Sequence, residues 1–275
     1  MRKLKNLVSP RLFIVFHKPI KLLSGIKVNM PLQIVKKSEA KINPPKFAVD
    51  YLLDEDAIHK IPPPYPNRSF FMITTGKAGS GKSSFVINSI RSLKKPYRVY
   101  RKIFNHIDLF IPRTSFASVE ELFRNHNSEK IHHELTGEDL VELHEKIQER
   151  SEEEESTLLI IDDFSSSLKD KDIEKELFRL ASNRRHLRLS IMIIQHNLLS
   201  VQPRLRKLAT HLTLFKTTNL KEKEAVQEIL QLTRDEQKEL YDFVFPSNEK
   251  FNFLFVDLDD GKDGLYKTLD KIEFD

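Results

Sequence analysis

Eight residues constrain this chain more than any others. Gly76-Lys77-Ala78-Gly79-Ser80-Gly81-Lys82-Ser83 fits the pattern G-x-x-x-x-G-K-[ST], with an apolar run, Phe70-Phe71-Met72-Ile73, just before it and a helical pattern, Lys82–Leu93, just after. A strand that must turn through such a segment into a helix needs glycine where the backbone goes left-handed and its amides converge on one point. The helix adds the partial positive charge of its N-terminus at that point. Phosphate oxygens are the groups that suit such a turn: Lys82 would bridge β- and γ-phosphates and the Ser83 hydroxyl would ligate Mg²⁺. The chain has only seven glycines and three of them fall between Gly76 and Gly81. A chance match in a chain of this length has odds on the order of one in a hundred.

The pattern around this turn repeats in kind. Short apolar runs recur at Ile103–Ile111, Leu158–Ile161, Ile191–Ile194 and Leu212–Phe215, with helical patterns at Lys82–Leu93, Gly137–Gln148, Asp172–Ala181 and Lys221–Leu232 between them. Continuous apolar strands separated by amphipathic helices predict an α/β fold, a mostly parallel sheet flanked by helices on both faces. The tail differs, because Phe251–Asp257 and Leu265–Phe274 flank Asp259-Asp260-Gly261-Lys262-Asp263-Gly264. That arrangement predicts a C-terminal β-hairpin at the sheet edge.

Composition bounds the rest. The chain has 275 residues, no cysteine and 31% charged residues, so disulfides and thiolate metal sites are excluded. With a mean hydropathy of −0.42 and no apolar run near the ~20 residues of a membrane span, a soluble intracellular protein is expected. Residues 1–46 carry eleven Lys or Arg against the single acid Glu39, a charge of +10 in a chain of +5, which leaves −5 for the remainder. Such an arm suits a polyanionic partner, a solvated tail or a transit peptide; Pro10, Pro19 and Pro31 weigh against the last. Prolines 44–45 and 62–64 with Pro66 predict a stiff, extended lead-in. The expected organisation is therefore a basic arm at 1–46, a proline-rich lead-in at 47–68 and a nucleotide-binding domain at 69–275.

Three further segments bear on chemistry. Thr157–Ile161 ends in Asp162-Asp163, and acids at the carboxyl end of a buried strand emerge at the same sheet edge as the phosphate turn. Asp162 would hold Mg²⁺ directly or through water, and Asp163 would orient or deprotonate an attacking water. The strand Ile191–Ile194 ends at Gln195, whose amide would meet the γ-phosphate or that water; an ordinary polar strand terminus competes with this reading. Asn183-Arg184-Arg185-His186 reads either as a basic helix end or as the source of an arginine delivered across a subunit interface. His126, His132, His133 and His144 match no metal-ligand spacing and are expected to be solvated.

Taken in order, Gly76–Ser83, Leu159-Ile160-Ile161-Asp162-Asp163-Phe164, Asn183–Ile191, Ile193-Ile194-Gln195-His196, Arg204-Leu205-Arg206-Lys207 and Leu214-Phe215-Lys216 resemble the genome-packaging ATPases of large eukaryotic DNA viruses. This is the poxvirus-type family, found also in virophages and Polinton-like elements, within the FtsK–HerA group of P-loop motors. The likeness spans about residues 60–274. It implies a RecA-like P-loop NTPase that works as a homo-oligomeric ring. Its task would be ATP-driven packaging of double-stranded DNA into a preformed capsid, with capsid or portal-like proteins as partners, in the virion or a viral factory of the host cytoplasm. A HerA- or FtsK-like cellular or plasmid translocase and an ATP-gated scaffold are the alternatives.

By position, the resemblance makes Gly76, Lys77, Ala78, Gly79, Ser80, Gly81, Lys82, Ser83 and Ser84 the ATP-binding set and Ser83 with Asp162 the Mg²⁺ ligands. Lys82, Asp163 and Gln195 become catalytic, and Arg184 or Arg185, with Arg185 preferred, the trans arginine. Asp163 stands where many relatives of the wider group have the longer Glu. Arg204, Arg206 and Lys207 are either DNA-phosphate contacts in a ring channel or part of an amphipathic surface helix.

Overall fold

The computed structural model describes residues 51–54, 60–92, 99–123 and 126–274, and the expected basic arm at 1–46 lies outside them. In chain order the elements are β1 (Phe71–Thr75), α1 (Lys82–Arg91), β2 (His106–Phe110), α2 (Arg113–Phe116), α3 (Glu120–Phe123), β3 (Ile131–His132), α4 (Gly137–Glu152) and β4 (Thr157–Asp162). They continue as α5 (Lys171–Asn183), β5 (Leu189–Gln195), α6 (Pro203–Arg206), β6 (His211–Phe215), α7 (Leu220–Leu230), α8 (Arg234–Val244), β7 (Phe253–Asp257), β8 (Leu265–Lys267) and β9 (Asp270–Lys271). The nine strands form one sheet in the order β3-β2-β4-β5-β1-β6-β7-β8-β9. Pairing is parallel from β3 through β6 and antiparallel from β6 to β9.

The apolar runs are continuous because both faces of the sheet are covered. Phe71, Ile73, Leu159, Ile161, Ile191 and Ile193 pack on one face with Leu143, Ile147, Leu177 and Leu180 of α4 and α5. Their neighbours Phe70, Met72, Leu158, Ile160, Met192 and Ile194 pack on the other with Val86 and Ile90 of α1. The period-2 alternation of strand side chains thus feeds two cores at once. Truncating one of them, such as Ile160→Ala, costs about 2–5 kcal/mol through lost burial and the cavity left behind.

Helix boundaries follow local chemistry. Thr136 caps α4 by accepting from Asp139 N while the Asp139 carboxylate accepts from Thr136 N. Asp170 and Asn219 cap α5 and α7 in the same sense. Each such cap is worth about 1 kcal/mol. The expected C-terminal hairpin is present as β7–β8, extended by the short β9. Gly264 permits its closure, since a Cβ there would lie 2.1 Å from Asp257 O.

Two expectations need correction. The lead-in is not an extended spacer where it is described: it turns at Pro62–Tyr65, with Tyr65 N donating to Pro62 O at 3.1 Å. Burial explains the turn. Ile61 is in the core, Tyr65 stacks on Phe85 and the Tyr100 hydroxyl donates to Pro66 O at 2.9 Å. The four histidines are half-buried rather than solvated. His126 Nε2 and His133 Nδ1 sit at 2.9 and 3.0 Å from the carbonyls of Ile107 and Ile111, and His132 stacks on Phe110. Among the described residues, no helix is long and apolar enough to cross a membrane.

Candidate nucleotide site

Strand register brings the acids, the glutamine and the phosphate turn to one edge. Asp162 pairs with Ile194, Thr75 pairs with Gln195, Asp163 N donates to Ile194 O at 3.0 Å and Gly76 N to Gln195 O at 3.3 Å. From there residues 76–81 leave β1 for α1. Gly81, the residue that starts α1, has φ 105°, and α1 has neither a side-chain cap nor an acid in its first turn. Its first amides are therefore left for a ligand with acceptor oxygens. At Gly76 a side chain is impossible without rearrangement, because a Cβ would stand 2.5 Å from Phe215 Cβ and 2.8 Å from Ser80 Oγ. Lys77, Ala78, Gly79 and Ser84 are exposed, Ser80 and Ser83 half-buried.

Behind the turn, Lys82 and Asp162 are buried, 6% and 8% exposed. The Ser83 hydroxyl donates to Asp162 Oδ2 at 3.1 Å. Burial pushes the Asp162 carboxyl up to about 6, against the pull of the Ser83 hydrogen bond and the Lys82 charge. Burial likewise lowers the Lys82 ammonium, with Asp162 and Asp163 opposing. A hydroxyl and a dry carboxylate side by side form a hard oxygen donor pair of the kind Mg²⁺ takes, and a divalent charge would hold Asp162 ionised. Beside these groups, the buried Ser80 Oγ and Gln195 Nε2 have no hydrogen-bond partner among the described residues. Gln195 is otherwise fixed, its Oε1 accepting from Ser165 Oγ at 2.5 Å.

One member of the cluster is missed by the sequence reading as a functional residue. His196 follows Gln195, and its Nδ1 lies 3.3 Å from Lys82 Nζ, which also donates to Lys77 O at 3.1 Å. An ammonium has only donors, so Nδ1 accepts and the ring proton sits on Nε2. Nε2 then donates to Asp163 Oδ1 at 3.1 Å. Asp163 itself has φ 62°, a left-handed conformation uncommon outside glycine. The result is a chain of contacts from lysine through imidazole to carboxylate. No spacing announces it; only the pairing of β4 with β5 and β1 does.

The remaining candidates lie elsewhere. α5 runs from the acids back to the start of β5, so Arg184 and Arg185 sit at the amino edge, opposite the phosphate turn. Arg184 is half-buried and donates to Ala181 O at 3.0 Å, whereas Arg185 is exposed. In α6 the Arg204 guanidinium stacks 3.7 Å from the centre of the Phe178 ring. Arg206 is half-buried and Lys207 exposed.

Comparison with known proteins fits this geometry. Residues 65–253 match the family described as Poxvirus A32 protein. Among solved structures, the genome packaging NTPase B204 from Sulfolobus turreted icosahedral virus 2 in complex with ATP-gammaS is 15% identical. It aligns with a TM-score of 0.51 over 74% of this chain and 98% of that one. Its complex with AMP gives 15% identity and a TM-score of 0.52 over the same shares. EssC (ATPases 2 and 3) from Geobacillus thermodenitrificans is 12% identical, with a TM-score of 0.46 over 73% of this chain and 39% of that chain. Curated proteins gave no match. The fold is that of a P-loop NTPase, and with well over half of its length matched, the chain belongs to the Poxvirus A32 protein family.

Proposed function

We propose that this ATPase drives double-stranded DNA into a preformed viral capsid, working as a homo-oligomeric ring in the virion or viral factory. The observation that carries the reading is the convergence of Lys82, Ser83, Asp162, Asp163 and Gln195 at one sheet edge in a chain of this family. The likeness in fold to a genome packaging NTPase in complex with ATP-gammaS supports it.

In this reading the turn from Gly76 to Ser84 wraps the triphosphate. Lys82 exchanges Lys77 O and His196 Nδ1 for β- and γ-phosphate oxygens. Ser83 and Asp162 hold Mg²⁺, which supplies neutralisation of charge on the transferring phosphoryl group. Asp163, held by His196, takes the proton of the attacking water, and the Gln195 amide gives its unpaired hydrogens to the γ-phosphate or that water. Arg185 or Arg184 serves the triphosphate of a neighbouring subunit, since both stand at the edge away from their own phosphate turn. DNA phosphate contact falls first to exposed Lys207, because Arg204 is stacked on Phe178 and Arg206 is half-buried.

The test is the phosphate-release rate of a size-defined oligomer with and without duplex DNA. Stimulation by duplex is expected. A rate indifferent to DNA, under salt conditions where DNA binds, would remove the translocase reading and leave a DNA-independent ATPase.

A further inference from the structure

Phe251 stands beside the phosphate turn with no task in the reading above. It is 68% exposed, while Phe253 and Phe255, next along β7, are buried. The backbone around it is tied down: Asn252 Nδ2 donates to Val244 O at 3.1 Å and to the Glu249 carboxylate, which pairs with Lys267 at 3.0 Å. Phe251 itself has φ 64°, a conformation that bulky side chains avoid. An anchored segment in a left-handed conformation therefore holds a large apolar ring in water at one fixed place.

A Cβ built on Gly81 would lie 3.6 Å from Phe251 Cδ1 and 3.5 Å from Phe215 Cε1, so both rings flank the last glycine of the turn. The groups suited to a terminal phosphate, Lys82, Asp162, Asp163 and Gln195, belong to the β4–β5 side of β1 or reach toward it. β6 and β7 lie on the opposite side of β1, and Phe215 and Phe251 come from their ends. A triphosphate laid over the turn with its γ end at Asp163 sends its nucleoside toward β6 and β7.

We propose that Phe251 is the platform on which the base of the bound nucleoside triphosphate stacks; the inference rests on the reading of Gly76–Ser83 as the nucleotide site. A ring face carries no donor or acceptor pattern, so Phe251 contributes affinity for a base and does not choose between adenine and guanine.

The chain has no tryptophan, so Phe251→Trp places a single indole at the site. With magnesium present, ATP and GTP are expected to quench its emission and inorganic tripolyphosphate is not. Phe251→Gly, which relieves the positive φ, is expected to weaken ATP binding about tenfold by calorimetry and to leave tripolyphosphate binding unchanged. Phe251→Tyr should keep the wild-type ATP affinity. Equal ATP affinity in wild type and Phe251→Gly, or equal quenching by ATP and tripolyphosphate, would overturn the platform and leave the phosphate site standing. A wild-type protein that binds neither ATP nor tripolyphosphate would overturn both readings together.

Discussion

The two edges of the parallel sheet differ in how complete they are. At the carboxyl edge, one helix and the ends of two strands gather a lysine, a hydroxyl, two carboxylates, an imidazole and an amide, with Lys82 on His196, His196 on Asp163 and Ser83 on Asp162. At the amino edge, Arg184 and Arg185 line a cleft of about 720 Å³ with His211, Asp257, Asp259, Asp260 and Tyr266. Among the described residues, that edge has cations but no phosphate turn and no hydroxyl–carboxylate pair of the kind at Ser83 and Asp162. In the proposed function the first edge holds the nucleotide and the second supplies an arginine to a neighbour's.

The sharpest way to break this comparison is to disable each edge and mix the products. Lys82→Ala should abolish ATP turnover, and Arg185→Ala should lower it by about 10³-fold, the lower end of what an arginine at the transferring phosphoryl group supplies. Mixed oligomers of the two variants should recover part of the phosphate-release rate, because each supplies the edge that the other lacks. Retained turnover in Lys82→Ala would refute the carboxyl-edge assignment, and absence of rescue would refute delivery in trans.

Within the carboxyl edge, Asp163→Asn should lower turnover by about 10²-fold with little change in ATP affinity. A protein that binds and hydrolyses ATP as before would take Asp163 out of the chemistry.

The smallest effect concerns stability and has opposite signs at the two edges. In the absence of nucleotide and divalent cation, folded Asp162 titrates at about 6 against an ordinary 3.8. The fold therefore holds that proton more tightly than the unfolded chain, and stability falls as pH rises through this window. His211, buried beside Thr210, titrates at about 4 against an ordinary 6.5, so the unfolded chain holds its proton more tightly. Its contribution is full above pH 6.5 and lost as pH falls toward 4. Between pH 4 and 6 the slopes oppose. Asp162→Asn should make the urea midpoint rise more steeply with pH there, and His211→Gln should make it fall. Parallel profiles for the two variants would show that neither group is perturbed by its surroundings.

What could be read from the sequence follows from how local each signal is. The strand–turn–helix at Phe71–Arg91, the Asp162-Asp163 pair and Gln195 at a strand end are contiguous patterns, and each stands where it was expected. α8 went unread although Thr233 and Glu236 form a capping box ahead of buried Leu240 and Val244, a signal at the right spacing. β3 and β9 are two residues each, too short for any period, and exist only through their pairing. His196 and Phe251 gain meaning only from neighbours brought in by the sheet, so no spacing along the chain finds them. The placement of the arginines was implicit in the order strand–helix–strand. A helix between two parallel strands must end where the next strand begins.

That helix has a mechanical meaning. α5 is a run of 13 residues, about 20 Å long, with a side-chain cap at Asp170 and no glycine or proline inside it. Such a rod passes an axial shift of its Asp170 end on to its Asn183 end with little loss, one residue before Arg184. In the proposed ring, that would tie the nucleotide edge of one subunit to the arginines it presents to a neighbour.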